Sequence, residues 1–217
     1  MKSTDNIIIV TGGALDEGFL KEFCESYPFA YIIGVDRGIS ALKSIEIEPN
    51  YVVGDFDSAP VYVRDMYVDK DNALMLEPEK DYTDTHVALQ IAINKNPQSI
   101  FILGAIGSRM DHTMANIGLL KYCVKHQVDA FILDGNNRIR MIDKCCRIEA
   151  SKAYGRYISC IPFSDTVTGV TLEGFKYPLY NATMIKEDSV GISNELREEE
   201  GRISIDTGYL LVMETKD

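Results

Sequence analysis

The chain has 217 residues and a formal net charge of −11, which allows one large domain or two small ones with a sizeable core. The acidic balance argues against a nucleic-acid binder, which needs a basic surface to neutralise phosphates. No apolar run approaches the roughly 20 residues that a membrane-spanning helix needs. Five cysteines without a C-x-x-C pair predict reduced, mostly buried thiols in a cytoplasmic protein.

The N-terminal part alternates short apolar runs with amphipathic segments. The apolar runs predict strands, and the segments between them predict helices, at residues 7–10 (strand), 15–27 (helix), 31–35, 51–53 and 73–76 (strands), 84–94 (helix), 99–103 (strand), 113–126 (helix) and 130–133 (strand). Such alternation is typical of β-α-β units. We therefore expect residues 1–137 to form an α/β domain with a mostly parallel, doubly wound sheet.

The pattern changes near residues 135–137, after which no helix is predicted. Short strands separated by Gly, Asp, Ser and Asn are expected at residues 138–142, 146–149, 157–162, 167–172, 183–185, 202–206 and 209–213. Many short strands with regular turn residues indicate a β-sandwich or barrel. We predict that residues 138–217 form an all-β sandwich domain, in which Cys145 and Cys146 lie on the two faces of one strand.

Polar residues follow each of the first five predicted strands. In chain order they are Gly12 and Gly13, Asp36, Asp55 and Asp57, Lys80 to Asp84, and Ser108, Arg109 and Asp111. In open α/β sheets, ligands bind outside the carboxyl ends of the strands. Carboxylates are ligands for Mg²⁺, and cationic side chains can neutralise the phosphate charge that remains. The recurrence of these residues at one edge predicts a metal–polyphosphate site.

Each of these features also has a purely structural alternative. Asp57 could form an Asx turn, and Thr83, Asp84 or Asp111 could cap or begin helices. Gly12 and Gly13 are not part of a G-x-G-x-x-G fingerprint and could serve a tight turn or the close approach of a ligand.

Asp36 could contact a ribose hydroxyl or only shape its turn. His86 and His126 have no partner at a metal-ligand spacing and are expected at the surface or at helix caps, while His112 beside Asp111 is ambiguous. The sequence contains no Cys/His zinc pattern, Walker A loop or G-x-S-x-G motif.

Together the motifs resemble the thiamine pyrophosphokinase family. The resemblance covers nearly the full chain and depends on residues 54–58, 80–84, 104–112 with Ala115 and Asn116, 174–179 and 191–195. It implies Mg-dependent transfer of the diphosphate of ATP to the primary hydroxyl of thiamine, which gives thiamine diphosphate and AMP. It also implies a homodimer whose active site is shared between the N-terminal domain of one subunit and the C-terminal domain of the other.

The resemblance also implies roles for individual residues. Asp55, Asp57 and Asp84 would bind magnesium, and Asp55, Asp57, Asp81 and Asp111 would form the catalytic set. The nucleotide would contact Gly12, Gly13, Asp36, Lys80, Thr83, Ser108 and Arg109, whereas thiamine would contact Asp111, Ser193 and Asn194. The carboxylate that accepts the hydroxyl proton is left open among Asp55, Asp81 and Asp111.

The chain departs from the family pattern at two places. Arg37 stands where a glycine is usual, and the chain end lacks an aromatic residue after Leu210-Leu211 in a protein without tryptophan. Any ring that stacks on thiamine would therefore belong to a Tyr or Phe, with Tyr177 and Tyr209 as candidates.

Two other functions would use similar residues. One is another Asp-x-Asp metal enzyme, either a phosphatase or a nucleotide-sugar transferase. In the phosphatases Asp-x-Asp normally follows the first strand, whereas here it follows the third predicted strand. The other is a non-catalytic nucleotide or thiamine sensor, in which the additional acids Asp81, Asp84 and Asp111 would be superfluous.

Overall fold

The computed structural model describes residues 6–55, 67, 70–77, 79 and 81–217. The chain divides into two compact units, Met1–Gly135 and Asn136–Asp217. None of the described helices combines the length and the apolar composition needed to cross a membrane. The described elements of the first unit are β1 (Asn6–Val10), α1 (Glu17–Ser26), β2 (Tyr31–Val35), α2 (Arg37–Ser44), β3 (Tyr51–Gly54), β4 (Ala73–Met75), α3 (Asp84–Ile93), β5 (Ser99–Leu103), α4 (Met110–Lys125) and β6 (Asp129–Leu133).

The strands of the N-terminal unit lie in the order β4-β3-β2-β1-β5-β6, and every neighbouring pair is parallel. The chain moves from β1 through β4 in one direction and then returns to place β5 on the other side of β1. The carboxyl ends of β1 and β5 therefore form the point where the strand order reverses, which is where open α/β sheets bind ligands. The predicted α/β class with a parallel sheet is confirmed.

The apolar runs form the strands because both faces of this sheet are covered. Ile7, Ile8 and Ile9 are consecutive in β1, and all of them have no exposed surface. Successive side chains of a strand point to opposite faces, so three consecutive buried residues require packing on both sides. This is the burial expected of a parallel strand.

Helix α2 was not predicted. The sequence pattern predicted no element between the second and third strands, but α2 begins at Arg37 and buries Ile39 and Leu42. Its amphipathic pattern covers only two turns, which is too short for a clear helical period. Gly38 allows the helix to lie against β1, because a Cβ at Gly38 would stand 2.0 Å from the carbonyl oxygen of Val10.

The C-terminal unit consists of two antiparallel layers. The strands are β7 (Asn137–Ile142), β8 (Cys145–Glu149), β9 (Tyr157–Pro162), β10 (Thr166–Glu173), β11 (Leu179–Ile185), β12 (Glu200–Ser204) and β13 (Leu210–Thr215). One layer has the order β7-β13-β9 and the other β11-β10-β12-β8. Val212 of β13 and Ile203 of β12 belong to the same buried cluster, so the layers share one core, as the predicted β-sandwich requires.

The local predictions for this unit agree with the structure, apart from one short turn. Ala150–Lys152 forms a 3₁₀ turn, and in the described residues after it the structure assigns no further helix. On β8, Cys145 is exposed and Cys146 is buried, as an alternating strand requires. The other cysteines are free and buried, in agreement with the expected reduced thiols.

A buried ion pair joins β7 to β13. The Arg138 guanidinium donates to both carboxylate oxygens of Glu214, over 2.7 Å from Nε and 2.5 Å from a terminal nitrogen. Glu214 is only 2 % exposed, and it also accepts a hydrogen bond of 3.0 Å from the backbone N–H of Tyr154. Burying a carboxylate this deeply is costly unless it is paired and hydrogen-bonded.

We expect Arg138→Met to lower the free energy of unfolding by about 3 kcal/mol, because the substitution leaves the Glu214 carboxylate buried without its cation. Urea unfolding followed by circular dichroism measures the change. Arg147→Met is the matched control, since its pair with Glu200 spans 3.5 Å between exposed side chains. The control should lower the free energy of unfolding by less than about 1 kcal/mol. Equal decreases in the two variants would contradict the prediction.

Candidate active site

The loops that leave β2 and β3 lie against each other. The backbone N–H of Asp36 donates to the carbonyl oxygen of Val53 over 3.2 Å. A Cβ at Gly54 would stand 2.3 Å from Oδ1 of Asp36, so only glycine leaves room for this carboxylate. Asp36 itself adopts a φ of 48°, which is uncommon for residues other than glycine, although Asp is among those that tolerate it. Asp36 therefore lies beside the residue that precedes Asp55.

The loops after β1 and β5 pack backbone to backbone at the point where the strand order reverses. Gly13 N–H donates to the carbonyl oxygen of Gly104 over 2.8 Å, and Ala14 N–H donates to that of Ile106 over 2.8 Å. A Cβ at Gly13 would stand 2.3 Å from the Gly104 oxygen. Gly13 is thus required for the contact between these two loops. The predicted contact of Gly12 and Gly13 with the nucleotide stays a prediction.

Helix α3 directs its first turn toward the same edge. It packs on β1, β2 and β3, and it directly follows Thr83, whose Oγ1 accepts a hydrogen bond of 3.3 Å from His86 N–H. Thr83 is therefore the N-cap, and Asp84 occupies the first turn, where its charge complements the helix dipole. The capping alternative is correct for Thr83, and capping leaves its hydroxyl proton available to a phosphate.

A buried threonine pair holds this helix end, and sequence reasoning missed it. Thr11, which follows β1, and Thr85 of α3 are each 6 % exposed, and their hydroxyl oxygens lie 2.9 Å apart. Because each hydroxyl can either donate or accept, the two share one hydrogen bond. Nothing in the sequence pairs residues 74 positions apart, although a threonine directly after the Ile-Ile-Ile-Val run of residues 7–10 is a weak signal.

Arg109 and Asp111 lie at the start of α4 and bind each other. The guanidinium donates to the carboxylate over 3.3 Å from Nε and 2.6 Å from a terminal nitrogen. Asp111 also accepts from His112 N–H over 2.9 Å. The Arg109 hydrogen bond, followed by the one from His112, lowers the pKa of Asp111 from 3.8 to about 2. A carboxylate with this pKa is a weak base while it is paired with Arg109, and the proton acceptor stays open among Asp55, Asp81 and Asp111.

The remaining predicted residues of the N-terminal unit have simpler positions. Ser108 and Asp81 are exposed, and Asp55 is partly buried at the end of β3. Asp57 and Lys80 lie outside the described residues. Among the residues that the structure describes, no three His, Cys, Asp or Glu side chains are grouped closely enough to hold a metal ion.

In the C-terminal unit, Asn194 is bound to the backbone. Its side-chain oxygen accepts hydrogen bonds from the N–H groups of Tyr177 over 3.0 Å and Glu195 over 2.9 Å, and its side-chain nitrogen donates to the carbonyl oxygen of Tyr177 over 2.8 Å. Asn194 is 3 % exposed, whereas Tyr177 is 60 % exposed. The structure therefore shows Asn194 securing the backbone of Tyr177, and direct contact of Asn194 with thiamine stays a prediction.

Ser193 differs from its neighbour in exposure and conformation. It is exposed, has a φ of 55°, and donates its backbone N–H to Oγ of Ser159 over 3.0 Å. Glu195, the next residue after Asn194, is paired with Arg156 and with Lys176, each over 2.9 Å. These two cations lower the pKa of Glu195 through hydrogen bonds, Arg156 having the larger effect. The segment after β11 is thus fixed to two other loops of its unit.

Acids and an arginine at the carboxyl edge of a parallel sheet are typical of enzymes that act on phosphorylated ligands; this chain also carries an antiparallel β-sandwich. Models of two protein domains match the chain. The thiamin pyrophosphokinase catalytic domain matches residues 26–132, and the thiamin pyrophosphokinase vitamin B1 binding domain matches residues 145–210.

Comparison with individual proteins gives the same family. The thiamine pyrophosphokinase of Bacillus subtilis is 38 % identical over 186 residues, which cover 85 % of this chain and 87 % of the relative. Its crystal structure superposes with a TM-score of 0.87 at 34 % identity, over 98 % of this chain and all of that one. The Candida albicans thiamin pyrophosphokinase shares the fold, with a TM-score of 0.78 at 19 % identity over 98 % of this chain and 89 % of that one. The chain belongs to the thiamine pyrophosphokinase family and is an enzyme.

Removing the Arg109 guanidinium should raise the pKa of Asp111. We expect Arg109→Gln to return this pKa from about 2 most of the way toward 3.8, as followed by a carboxyl NMR titration. In the wild type the lowered pKa means that the pair stabilises the fold above pH 3.8 and that this contribution is lost as the pH falls toward 2. Arg156→Gln, which breaks a different exposed pair, should leave the pKa of Asp111 unchanged. If the pKa of Asp111 stays near 2 in Arg109→Gln, Arg109 is not the main cause of its lowered value.

Asn194→Ala should lower the free energy of unfolding by about 2–4 kcal/mol, because the Tyr177 and Glu195 N–H groups lose a buried acceptor. Ser193→Ala is the adjacent control and should change it by less than about 0.5 kcal/mol. Urea unfolding of both variants measures the difference. Similar small losses in the two variants would mean that the Asn194 hydrogen bonds do not hold this segment.

Proposed function

We propose that this enzyme transfers the diphosphate group of ATP to the primary hydroxyl of thiamine in a Mg²⁺-dependent reaction that releases AMP. Family membership supports the synthesis of thiamine diphosphate. The observation that carries the proposal is the convergence of Asp36, Asp55, the first turn of α3 and the Arg109 loop at the carboxyl edge of one parallel sheet. A triphosphate bound at this edge would meet both acidic and cationic groups.

The donor set suits magnesium. Asp55 follows β3, and Asp84 belongs to α3, which packs on β3; Asp57 is the third predicted ligand. Mg²⁺ usually takes one or two carboxylates and completes its shell with waters and substrate phosphates. Two or three of these aspartates are therefore enough when the nucleotide supplies the other oxygens. When bound, the ion would offset the charge of the phosphate oxygens.

The chemistry then depends on positioning and charge. The thiamine hydroxyl oxygen forms a bond to the β-phosphorus, the bond from this phosphorus to the α,β-bridging oxygen breaks, and AMP leaves with that oxygen. The hydroxyl proton passes to a carboxylate, for which Asp55, Asp81 and Asp111 are the candidates. Lys80, Thr83, Ser108 and Arg109 would bind the phosphates during the transfer.

The acceptor is a cationic thiazolium compound, which suits a chain with a net charge of −11. Tyr177, exposed and secured by Asn194, is our candidate for stacking on the thiamine ring, and Ser193 lies on the segment bonded to the same loop. A homodimer with a shared active site is part of the proposal on the strength of the family resemblance, as is a cytoplasmic location. Light scattering at several concentrations tests the dimer.

One assay tests the function. The protein is incubated with ATP, Mg²⁺ and thiamine, and the products are identified by chromatography and ³¹P NMR. AMP formed in equal amount with thiamine diphosphate is the expected result. ADP, or phosphate released without thiamine, would exclude this reaction and favour another Asp-x-Asp phosphate-handling enzyme.

We expect Asp55→Asn to lower kcat by a factor of about 10² or more, with the melting temperature changed little, because the substitution removes charge but hardly any volume. Steady-state kinetics and calorimetry measure the two effects. Asp71→Asn is the matched control, since Asp71 is exposed and precedes β4 at the opposite edge of the sheet. Full activity in Asp55→Asn, or its unfolding, would show that Asp55 is not a magnesium ligand.

A further inference from the structure

The loop at residues 104–109, between β5 and α4, carries two predicted phosphate contacts on an otherwise buried backbone. Ser108 and Arg109 are exposed at its end, whereas Ala105 is 3 % exposed. Buried carbonyl and N–H groups require partners. One side of the loop obtains them from Gly13 and Ala14, which bond to the carbonyl oxygens of Gly104 and Ile106. The remaining groups need partners from another element.

Helix α4 supplies them through two buried side chains one turn apart, Thr113 and Asn116, each 6 % exposed. The Asn116 side-chain nitrogen donates to the carbonyl oxygen of Ala105 over 2.9 Å. Oγ1 of Thr113 accepts from Gly107 N–H over 3.2 Å and donates to the carbonyl oxygen of Arg109 over 3.2 Å. A single hydroxyl can make both of these bonds.

Local helix geometry does not account for this arrangement. A threonine hydroxyl often bonds the carbonyl four residues earlier in its own helix, and the bond to Arg109 is of that kind. The bonds to Gly107 and Ala105, however, reach backbone groups that precede α4 by several residues and belong to the loop. Asn116 and Thr113 therefore hold the loop at three successive odd-numbered positions, of which the last is Arg109.

We propose that Thr113 and Asn116 are positioning residues, which place the Arg109 backbone, and with it the guanidinium, for the phosphates of the nucleotide. This inference rests on the proposed function in one respect only, namely that Arg109 contacts ATP. Neither residue needs to touch substrate, because both side chains are directed into the loop backbone. Sequence patterns had marked Asn116 as part of the family resemblance but had given it no role.

Thr113→Val removes the hydroxyl and keeps the shape of the side chain. We expect kcat/KM for ATP to fall by a factor of about 10 to 100, as for misplaced binding groups, while KM for thiamine stays within about twofold. Thr113→Ser, which restores the hydroxyl, should recover most of the loss. Asn116→Ala should likewise lower kcat/KM for ATP and leave KM for thiamine within about twofold.

Thr168→Val is the control, because it removes a hydroxyl pair with Thr207 of 2.7 Å in the C-terminal unit, and kcat/KM for ATP should be unchanged. If Thr113→Val does not fold, Thr113→Ala tests the same expectation. A Thr113→Val variant with kcat/KM for ATP within twofold of the wild type, or a Thr113→Ser variant without recovery, would overturn the proposal.

A readout without substrates separates this inference from the proposed function. Amide hydrogen exchange of Gly107 and neighbouring loop residues should be faster in Thr113→Val than in the wild type, with no ligand present. If the wild type makes no thiamine diphosphate, the proposed function is wrong. The hydrogen-exchange measurement still tests whether Thr113 fixes the loop backbone. Unchanged exchange in Thr113→Val would overturn the inference even if the reaction is as proposed.

Discussion

The backbone contact between the loops after β1 and β5 is the constraint on which the rest of the site depends. It occurs where the strand order reverses, and it requires that residue 13 has no side chain. Once these two loops are bonded, the groups around them have fixed positions. Thr11 holds α3 from one side, and α4 holds the β5 loop from the other. The side chains that we expect to bind phosphate are therefore positioned by uncharged contacts, which lie beneath the charged surface.

This arrangement of buried uncharged contacts beneath exposed charges explains why charged residues at the edge of the sheet can be exposed and still have defined positions. Exposed ion pairs alone contribute little stability and do not fix geometry. Buried hydrogen bonds to backbone groups do, because leaving any of them unmade costs free energy. Asn194 has the same role in the C-terminal unit, where its buried side-chain amide forms hydrogen bonds that fix the backbone of Tyr177. In both units a buried polar side chain secures a segment whose neighbours are available to a ligand.

The sequence predicted the strands well, because short continuous apolar runs bounded by turn residues are typical of buried parallel strands. It also placed Asp36 and Asp55 at one edge, since that follows from parallel order alone. It missed α2, whose two turns give too short a period, and it missed the Thr11–Thr85 and Thr113–Gly107 bonds. Such bonds depend on distances between segments, which neither composition nor spacing contains. For Asn194 the motif identified the residue, but only the structure showed that its amide binds the backbone.

The pairing of Arg109 with Asp111 gives the ligand-free enzyme an internal counter-ion. Small anions such as chloride or sulfate meet a guanidinium whose charge is already compensated, and each would have to displace a carboxylate held at two points. A polyphosphate brings more charge and further contacts than a simple anion, so it competes better with Asp111. Because the pair is exposed and exposed ion pairs contribute little stability, its separation should cost the incoming nucleotide little free energy.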